Sequence, residues 1–279
     1  MLIKRIGVLN HPLIKSSFDK AQELINFLDS RGSDVWLGSA WKIAEAIHNL
    51  DSTDLIITLG GDGTILRAAQ VALDHQIPIT GINMGKLGFL TEFKANQATE
   101  KLSELLEGKG WVDERTMLEA QFVLPDNSRT ETIHALNDVV LARGEVVKLI
   151  QINTVINDKP LSNYRADGII LATATGSTGY ALSAGGPILH PRSADLLLVP
   201  IASHLSIDFS LVLDSSSVIR LQPISDNPAT LNIDGHINLP IASGSVITVK
   251  RSSKKSRFLR LCEPDSFYGT LEERLRGKR

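Results

Sequence analysis

Three glycines surround a single acid in the segment Gly60-Gly61-Asp62-Gly63-Thr64. Glycine lets a ligand approach the backbone closely, and turn amides together with the N-terminus of a following helix form an anion site that suits phosphate. Because a carboxylate repels phosphate, we expect Asp62 to do chemistry there. It would either help to hold a divalent cation or accept a proton from a hydroxyl that attacks phosphorus. The alternative is a tight turn in which Asp62 caps the helix, although such a cap needs only one glycine.

Two common phosphate motifs are absent from the sequence. The Walker pattern needs four residues between its first glycine and the Gly-Lys pair, followed by serine or threonine. The segment 81–87, Gly-Ile-Asn-Met-Gly-Lys-Leu, has three and ends in leucine. No Gly-x-Gly-x-x-Gly follows a predicted strand, which weakens the interpretation as a dehydrogenase.

Two further clusters accompany the first turn. Residues 81–89 contain three glycines and Asn83, which favour close backbone contact, and Phe89 offers a face for stacking. Residues 175–187 are rich in hydroxyl groups and glycine and follow Asp167-Gly168. Such a loop suits a neutral ligand with many polar atoms, for example a nucleoside, better than a bare anion. The alternatives are an ordinary loop with a core phenylalanine for the first cluster and a flexible linker for the second.

The elements that position these clusters change character along the chain. The first part alternates short apolar runs with helical periodicity, which predicts βαβ units and a parallel sheet with helices on its faces. Ligands of such sheets bind at the carboxyl ends of the strands. The predicted strands are 3–9, 35–37, 55–59 and 77–82, and the predicted helices are 17–28, 41–50, 65–73 and 99–106.

From about Met117 the pattern predicts a β-rich domain. Its predicted strands are 118–124, 133–141, 148–156, 168–172, 218–222, 230–233, 246–250 and 258–261, with a short helix at 178–184. Turn residues separate them at 125–127, 157–160 and 234–235. We therefore predict an α/β N-terminal domain with a parallel sheet at 1–115 and a β-rich C-terminal domain at 116–279. The charged tail 272–279 is interpreted as a solvated terminus rather than a binding element, unless the tail packs back on the first domain.

Composition excludes several classes of protein. The chain has 279 residues, of which 43% are hydrophobic and 22% charged, so it can build a core and is not a disordered chain. A net charge of −2 gives no sign of nucleic-acid binding. One cysteine, Cys262, excludes a disulfide framework and a thiolate metal cluster. The seven histidines lie far apart. Without a signal peptide or an apolar run of about 18 residues, we expect a soluble cytoplasmic protein that binds no membrane.

Five motifs occur in a fixed order and together resemble the bacterial type of the NAD kinase (ATP-NAD kinase) family. They are residues 60–64, 81–90, Asn137-Asp138, 167–191, and Asn-Ile-Asp-Gly-His at 232–236. The first motif alone is similar to those of diacylglycerol-type lipid kinases and phosphofructokinases. Residues 175–187 with the preceding Asp167-Gly168 are far more specific. The resemblance runs from Ile3 to about Leu261.

The resemblance implies transfer of the terminal phosphoryl group of ATP to the 2′-hydroxyl of the adenosine ribose of NAD, giving NADP. It also implies a divalent metal ion, with Mg²⁺ expected, and self-association to a dimer or tetramer. Asp62 would be the proton acceptor. No metal ligand is assigned, with Asp62 the only candidate. The implied binding residues are Gly60, Gly61, Asp62, Gly63, Arg67, Phe89, Asn137, Asp138, Lys148, Arg165, Asp167, Thr178, Gly179, Tyr180, Ala181, Leu182, Ser183, Ala202 and His236.

The sequence departs from the family pattern at several positions. Asp138 stands where many relatives have glutamate, and Gly179 replaces the usual alanine. Residues 205–210, Leu-Ser-Ile-Asp-Phe-Ser, lack the arginine that many relatives carry there. Two alternative functions stay open: a lipid or sugar kinase that shares the glycine turn, and a non-catalytic dinucleotide sensor.

Overall fold

The computed structural model describes residues 3–123, 130–144, 149–203, 209–224 and 228–276. The predicted turn at 125–127, Lys148, residues 205–208 and the last three residues of the tail lie outside these ranges. The chain divides into two compact units. The first comprises Met1–Arg115 and Lys255–Arg279, and the second comprises Thr116–Lys254.

The described residues form six α-helices and seventeen strands. The helices are α1 (Lys15–Ser30), α2 (Ile43–Ile47), α3 (Asp62–Ala72), α4 (Ala98–Leu106), α5 (Tyr180–Ser183) and α6 (Phe267–Arg276). The strands are β1 (Arg5–Asn10), β2 (Asp34–Ser39), β3 (Leu55–Gly60), β4 (Ile79–Asn83), β5 (Phe93–Lys94), β6 (Trp111–Val123), β7 (Thr130–Ala135), β8 (Asp138–Arg143), β9 (Ile150–Ile156), β10 (Lys159–Ala166), β11 (Gly168–Ala172), β12 (Leu196–Ile201), β13 (Leu211–Leu213), β14 (Val218–Pro223), β15 (Ala229–Ile233), β16 (Ile237–Ile241) and β17 (Ile247–Arg260).

The first unit contains the predicted parallel sheet. Its strands lie in the order β4-β3-β1-β2, and every pair is parallel. All six residues of β3 are buried, as a continuous apolar run in a parallel sheet predicts. On α1, Ala21, Leu24 and Leu28 recur at helical spacing and are buried in the core of this unit. β3 ends at Gly60, so the glycine-rich turn lies at the carboxyl edge of the sheet.

The second unit is built from antiparallel strands. Six of them form a sheet in the order β13-β12-β11-β8-β15-β16, and β10, β9, β14 and the start of β17 pair antiparallel in that order. A large apolar cluster forms the core of this unit, with Tyr164 and Phe122 among its biggest side chains. The predicted β-rich character of this part of the chain is confirmed.

Two predictions about elements are wrong. Residues 133–141 form not one strand but two, because the chain turns between β7 and β8. Residues 246–250 and 258–261 belong to a single strand, β17, whose polar middle alternates buried and exposed positions. The tail from Glu272 to Arg276 is the end of α6, a helix that the sequence pattern does not predict; none of its residues is buried, and Arg274 donates to the carbonyl of Gly88 in the same unit. Among the described residues, no helix is both long and apolar enough to span a bilayer.

Candidate active site

Asp62 is the first residue of α3 and follows β3 after one intervening glycine. The residue at the N-cap of α3 is Gly61, so no side chain caps this helix. The carboxylate of Asp62 accepts hydrogen bonds instead from a neighbouring loop: Oδ2 from the N–H of Phe89 at 2.9 Å, and Oδ1 from the N–H of Leu90 at 3.0 Å. The alternative of a helix cap is therefore wrong. Each carboxylate oxygen can accept a second hydrogen bond, so Asp62 can still accept a proton from a hydroxyl.

The three glycines of the turn differ in what their surroundings require. A Cβ on Gly60 would stand 2.0 Å from Oγ1 of Thr64, so packing within the protein excludes any larger residue there. A Cβ on Gly61 or Gly63 would meet no atom within 4 Å. The space over these two residues is open, and it lies at the N-terminus of an eleven-residue helix. This open, electropositive backbone fits an anion.

Arg67 lies on α3 beyond this turn and is held by an aromatic side chain. Its guanidinium carbon stands 4.6 Å from the centroid of the Trp41 ring, and the ring of His11 packs against the same tryptophan at a tilt of 59°, with the ring centroids 4.1 Å apart. Burial lowers the pKa of Arg67, but a guanidinium stays charged at neutral pH. A fixed cation therefore lies on the same helix as Asp62.

The loop after β4 has a defined shape. Asn83 accepts the N–H of Gly85 at 2.7 Å and donates to the carbonyl of Lys86 at 2.8 Å. A Cβ on Gly88 would stand 2.0 Å from Oδ1 of Asp62. A side chain at position 88 would thus displace the carboxylate of Asp62, which packs directly against the backbone there.

In the second unit, a turn organised by Asp234 presents Asn137 and Asp138. The carboxylate of Asp234 accepts the N–H groups of Leu136, Asn137 and Asp138 at 2.9, 2.7 and 3.2 Å. The N–H of Asp234 donates in return to the carbonyl of Asp138 at 3.0 Å. One buried carboxylate therefore sets the conformation between β7 and β8. The sequence placed Asp234 within a motif but assigned it no role.

Asp138 and Asp234 are both buried, with exposed fractions of 5% and 4%. Burial, together with the nearby charge of Asp234, raises the pKa of Asp138 to about 7. Burial also raises the pKa of Asp234, while its three N–H donors act in the opposite direction. Asp138 is thus poised to change protonation near neutral pH, so it can either donate or accept a hydrogen bond from a ligand.

The predicted nucleoside loop packs directly on this turn. Thr173 donates from its hydroxyl to the carbonyl of Leu136 at 2.6 Å and from its N–H to the carbonyl of Asn137 at 2.9 Å. A Cβ on Gly176 would stand 2.1 Å from that carbonyl oxygen of Asn137, and one on Gly179 would stand 3.9 Å from Oδ2 of Asp138. Gly176 therefore allows the backbone of the loop to lie against the Asn137-Asp138 turn, whereas a Cβ on Gly179 would make only an ordinary contact with Asp138.

The other predicted residues of this loop differ in exposure. Thr178 is buried and directs its hydroxyl to the carbonyl of Thr175, at 3.3 Å. Ala181 is fully buried, Tyr180 is 48% exposed, and Leu182 and Ser183 lie partly or largely exposed on α5. Tyr180 and Ser183 are thus accessible to a ligand, whereas Ala181 contributes packing.

Two buried polar atoms at this turn have no hydrogen-bond partner among the described residues. They are Oδ1 of Asn137 and Nε2 of His236. The other ring nitrogen of His236 lies 3.0 Å from the carbonyl of Asp234. A buried polar atom without a partner is costly, and a polar ligand would satisfy both atoms.

Three further predicted residues gather at the opposite end of β11. Asp167 pairs with Arg143 at 3.0 Å, and its N–H donates to the carbonyl of Ile201 at 2.9 Å. Ala202 follows with a φ of +45°, an unusual conformation for a residue with a Cβ. Arg165 is exposed at the end of β10. Because β11 pairs Ala172 with Asp138 and Gly168 with Ala142, this group lies about 15 Å from Asp138 along the strand.

Two family models match the chain, and together they cover most of it. One is described as the ATP-NAD kinase N-terminal domain and matches residues 14–110; the other is the ATP-NAD kinase C-terminal domain and matches residues 136–261. The chain belongs to the NAD kinase family. This confirms the family that the motifs indicated, and it confirms the predicted α/β part followed by a β-rich part.

Relatives within the NAD kinase family align over nearly the whole chain. A protein named NAD kinase from Dehalococcoides mccartyi (strain CBDB1) is 45% identical over 99% of this chain and 97% of its own length. An NAD kinase from Chloroflexus aurantiacus (strain ATCC 29366 / DSM 635 / J-10-fl) is 38% identical over 99% of each chain.

Solved structures of the NAD kinase family share the fold. The yeast NADH kinase complexed with NADH superposes with a TM-score of 0.86 at 28% identity, covering 98% of this chain and 87% of its own. An NAD kinase from Archaeoglobus fulgidus in complex with ATP gives a TM-score of 0.80 at 26% identity, covering 98% and 99%.

Proposed function

We propose that this chain transfers the γ-phosphoryl group of ATP to the 2′-hydroxyl of the adenosine ribose of NAD, giving NADP and ADP. The observation that carries this proposal is the placement of Asp62. A carboxylate stands at the N-terminus of α3, beside a backbone left open over Gly61 and Gly63. An acceptor for a proton and a cradle for a phosphate are thereby adjacent, as phosphoryl transfer to an alcohol requires.

In the proposed reaction, Asp62 accepts the proton of the ribose hydroxyl as the bond from its oxygen to the γ-phosphorus forms. A secondary alcohol has a pKa far above 7, so it needs such a base to react. The bond from phosphorus to the bridging oxygen breaks at the same time, and ADP leaves. The backbone at Gly61 and Gly63, the dipole of α3 and the guanidinium of Arg67 stabilise the charge on the phosphates.

A divalent metal ion, with Mg²⁺ expected, forms part of the proposal. Among the described residues, no three histidine, cysteine, aspartate or glutamate side chains cluster to form a metal site. A single carboxylate in the turn fits an ion that arrives with the phosphates of ATP, because Mg²⁺ is commonly held by substrate phosphates and one or two carboxylates. Asp62 lies within the open turn, between Gly61 and Gly63. The ion would neutralise charge on the phosphates that react.

NAD is proposed to lie along the second unit, with its two nucleosides at the two ends of β11. The adenosine part binds at the turn that holds Asn137 and Asp138. There it contacts Oδ1 of Asn137 and Nε2 of His236, which have no hydrogen-bond partner among the described residues, and the carboxyl of Asp138, whose pKa is raised to about 7. Asp167, at the other end of β11, accepts a hydrogen bond from an amide group of NAD. A separation of about 15 Å suits an extended dinucleotide better than a single nucleoside. The remaining proposed contacts are Gly60, Phe89, Lys148, Arg165, Thr178, Gly179, Tyr180, Ala181, Leu182, Ser183 and Ala202.

The decisive experiment incubates the purified chain with ATP, MgCl₂ and NAD and measures NADP with an NADP-specific dehydrogenase. Parallel reactions replace NAD with NADH, because one structural relative is a yeast NADH kinase complexed with NADH. Others replace NAD with a diacylglycerol or a sugar, or remove the metal with EDTA. We expect NADP to form only with NAD, ATP and metal together. A folded chain that binds NAD but forms no NADP would instead be a dinucleotide sensor.

Location in the cytoplasm and self-association are expectations of the sequence and of its resemblance to the family. They complete the proposal without bearing on the chemistry. Light scattering coupled to size-exclusion chromatography would distinguish a monomer from the expected dimer or tetramer.

A further inference from the structure

We propose that Arg274, on the C-terminal helix α6, is a positioning residue for Asp62. The inference deepens the proposed function and rests on it. Arg274 is 212 positions from Asp62 in the sequence and acts through a three-residue segment, Gly88-Phe89-Leu90, which we call the strap.

Four backbone groups of the strap are held by side chains of the first unit. The carboxylate of Asp62 accepts the N–H groups of Phe89 and Leu90. Nη1 of Arg274 donates to the carbonyl of Gly88, and Nη1 of Arg260 donates to the carbonyl of Leu90 at 2.8 Å. The strap is therefore held by one carboxylate and two guanidinium groups.

The contact of Arg274 differs from that of Arg260 in one decisive way. The carbonyl of Gly88 and the N–H of Phe89 belong to the same peptide unit, which is planar and rigid. A cation on that oxygen fixes the direction in which the N–H points at Oδ2 of Asp62. It also polarises the peptide and strengthens the N–H as a donor. Arg274 therefore sets the orientation of the carboxylate without touching it.

The surroundings of Arg274 show that its side chain is fixed in this role. Its Nε donates to the hydroxyl of Thr270, one turn earlier on α6, at 3.2 Å. Burial and the charge of Arg260 lower the pKa of Arg274, while the charges of Glu92 and Asp62 act in the opposite direction. The hydrogen bonds to Thr270 and to the carbonyl of Gly88 hold the guanidinium in one place.

Two neighbouring arginines define how the proposal can be tested. Arg260 forms buried ion pairs with Glu92 at 3.0 Å and Asp113 at 3.4 Å, so its removal would destabilise the fold and confuse the result. Arg276 pairs with Glu272 at the surface of α6, and both side chains are 77% exposed. The matched variants are therefore Arg274→Met and Arg276→Met, two arginines on one helix that differ in whether they reach the strap.

The test measures kcat and KM for NAD and ATP in both variants and in Arg274→Lys. We expect Arg274→Met to lower kcat about tenfold or more, as misplacement of a catalytic group does, with each KM within about twofold of the original. Arg274→Lys keeps a cationic donor and should recover part of the loss. Arg276→Met should behave like the unmodified chain. The amide of Phe89 should also exchange hydrogen faster in Arg274→Met than in Arg276→Met.

A double-mutant cycle with Asp62→Asn shows whether the effect passes through Asp62. If it does, Arg274→Met causes no further loss of kcat once Asp62 has been replaced. An unchanged kcat in Arg274→Met, an equal loss in the Asp62→Asn background, or a change confined to KM would each overturn the proposal. If the unmodified chain forms no NADP, the proposed function fails first. If the Phe89 amide exchanged hydrogen no faster in Arg274→Met than in Arg276→Met, that result alone would contradict the positioning role.

Discussion

Gly88 and the carboxylate of Asp62 are in such close contact that a Cβ at position 88 would stand 2.0 Å from Oδ1. The clash is with the far end of a side chain, so the protein can relieve it by turning the carboxylate away. We therefore predict that Gly88→Ala lowers kcat for NADP formation by about tenfold to a hundredfold, since small misplacements have such effects. The melting temperature should change little. Steady-state kinetics and thermal unfolding on the same preparation test both statements.

Gly85 supplies the matched control for this substitution. It lies in the same loop, a Cβ there would meet no atom within 4 Å, and its φ lies outside the left-handed region. Gly85→Ala should leave kcat unchanged. Equal losses in the two variants would show that the loop tolerates no alanine, and that the Asp62 contact is not the cause.

Asp62→Asn should lower kcat by roughly a hundredfold or more, the range found when a general base is removed. Asparagine keeps the size of the side chain but cannot accept the proton of the ribose hydroxyl. Binding of NAD, measured by calorimetry, should persist because the nucleoside contacts proposed above come from other residues. A purified, folded variant with full turnover would refute the role of Asp62 as a base.

Asp54 offers a control, because its carboxylate also accepts two backbone N–H groups but has no part in the proposed chemistry. Its carboxylate accepts the N–H groups of Lys4 and Arg5 at 2.8 and 3.0 Å. Both N–H groups reach the same oxygen, Oδ2, so the amide oxygen of Asp54→Asn can still accept them while the charge of this anchoring carboxylate is removed. We expect Asp54→Asn to cost little stability and to leave kcat intact, which separates loss of an anchoring charge from loss of the base.

Stability should depend on pH through Asp138. Burial, reinforced by the charge of Asp234, raises its pKa from 3.8 to about 7 in the folded chain. Between these values the folded state binds more protons than the unfolded state, so the free energy of unfolding falls as pH rises through this window. In Asp138→Asn the fall between pH 5 and pH 8 should be smaller by on the order of 1 kcal/mol or more. Urea denaturation at the two pH values measures it.

A carboxylate with the opposite shift provides the comparison. The hydroxyl and N–H of Ser216 lower the pKa of the exposed Asp214. Asp214→Asn should therefore not reduce the fall in stability between pH 5 and pH 8. If Asp138→Asn and Asp214→Asn showed the same pH dependence, the stability of the chain would not be linked to the buried carboxyl.

Local patterns were sufficient to predict the first unit and the motifs of the site. The apolar run of β3, the periodicity of α1 and the glycines around Asp62 each act over a few residues, so the sequence displays them directly. The same is true of the turn at Asp234-Gly235, which lies between β15 and β16. Elements of this kind were predicted within a few residues of their observed bounds.

Features fixed by distant residues could not be predicted. The break between β7 and β8 depends on Asp234, which is 97 residues from Asn137. The strap is held by Arg274, which is 186 residues from Gly88. The middle of β17 is polar at its buried positions as well as its exposed ones, as Ser252 and Ser256 show, so the local pattern predicts a gap between two strands where there is one continuous strand. In each case the partner that decides the structure is invisible in the local pattern.

Asp234 itself yields the last prediction. Replacing it with asparagine leaves one oxygen for three N–H donors, those of Leu136, Asn137 and Asp138. A buried donor without a partner costs about 1–3 kcal/mol, so Asp234→Asn should destabilise the chain by an amount in that range. Because the same turn presents Asn137 and Asp138, KM for NAD should rise about tenfold or more. KM for ATP should change much less.

The control for Asp234 is Asp158, which also follows a strand of the second unit and has a positive φ of 63°. Its carboxylate is 80% exposed and pairs only with Arg220 in the contacts of the described residues. Surface pairs of this kind contribute about 0–1 kcal/mol, so Asp158→Asn should leave both stability and KM close to their original values. Should Asp234→Asn lose stability while keeping its KM for NAD, the turn would serve the fold alone, and Asn137 and Asp138 would not bind the adenosine ribose.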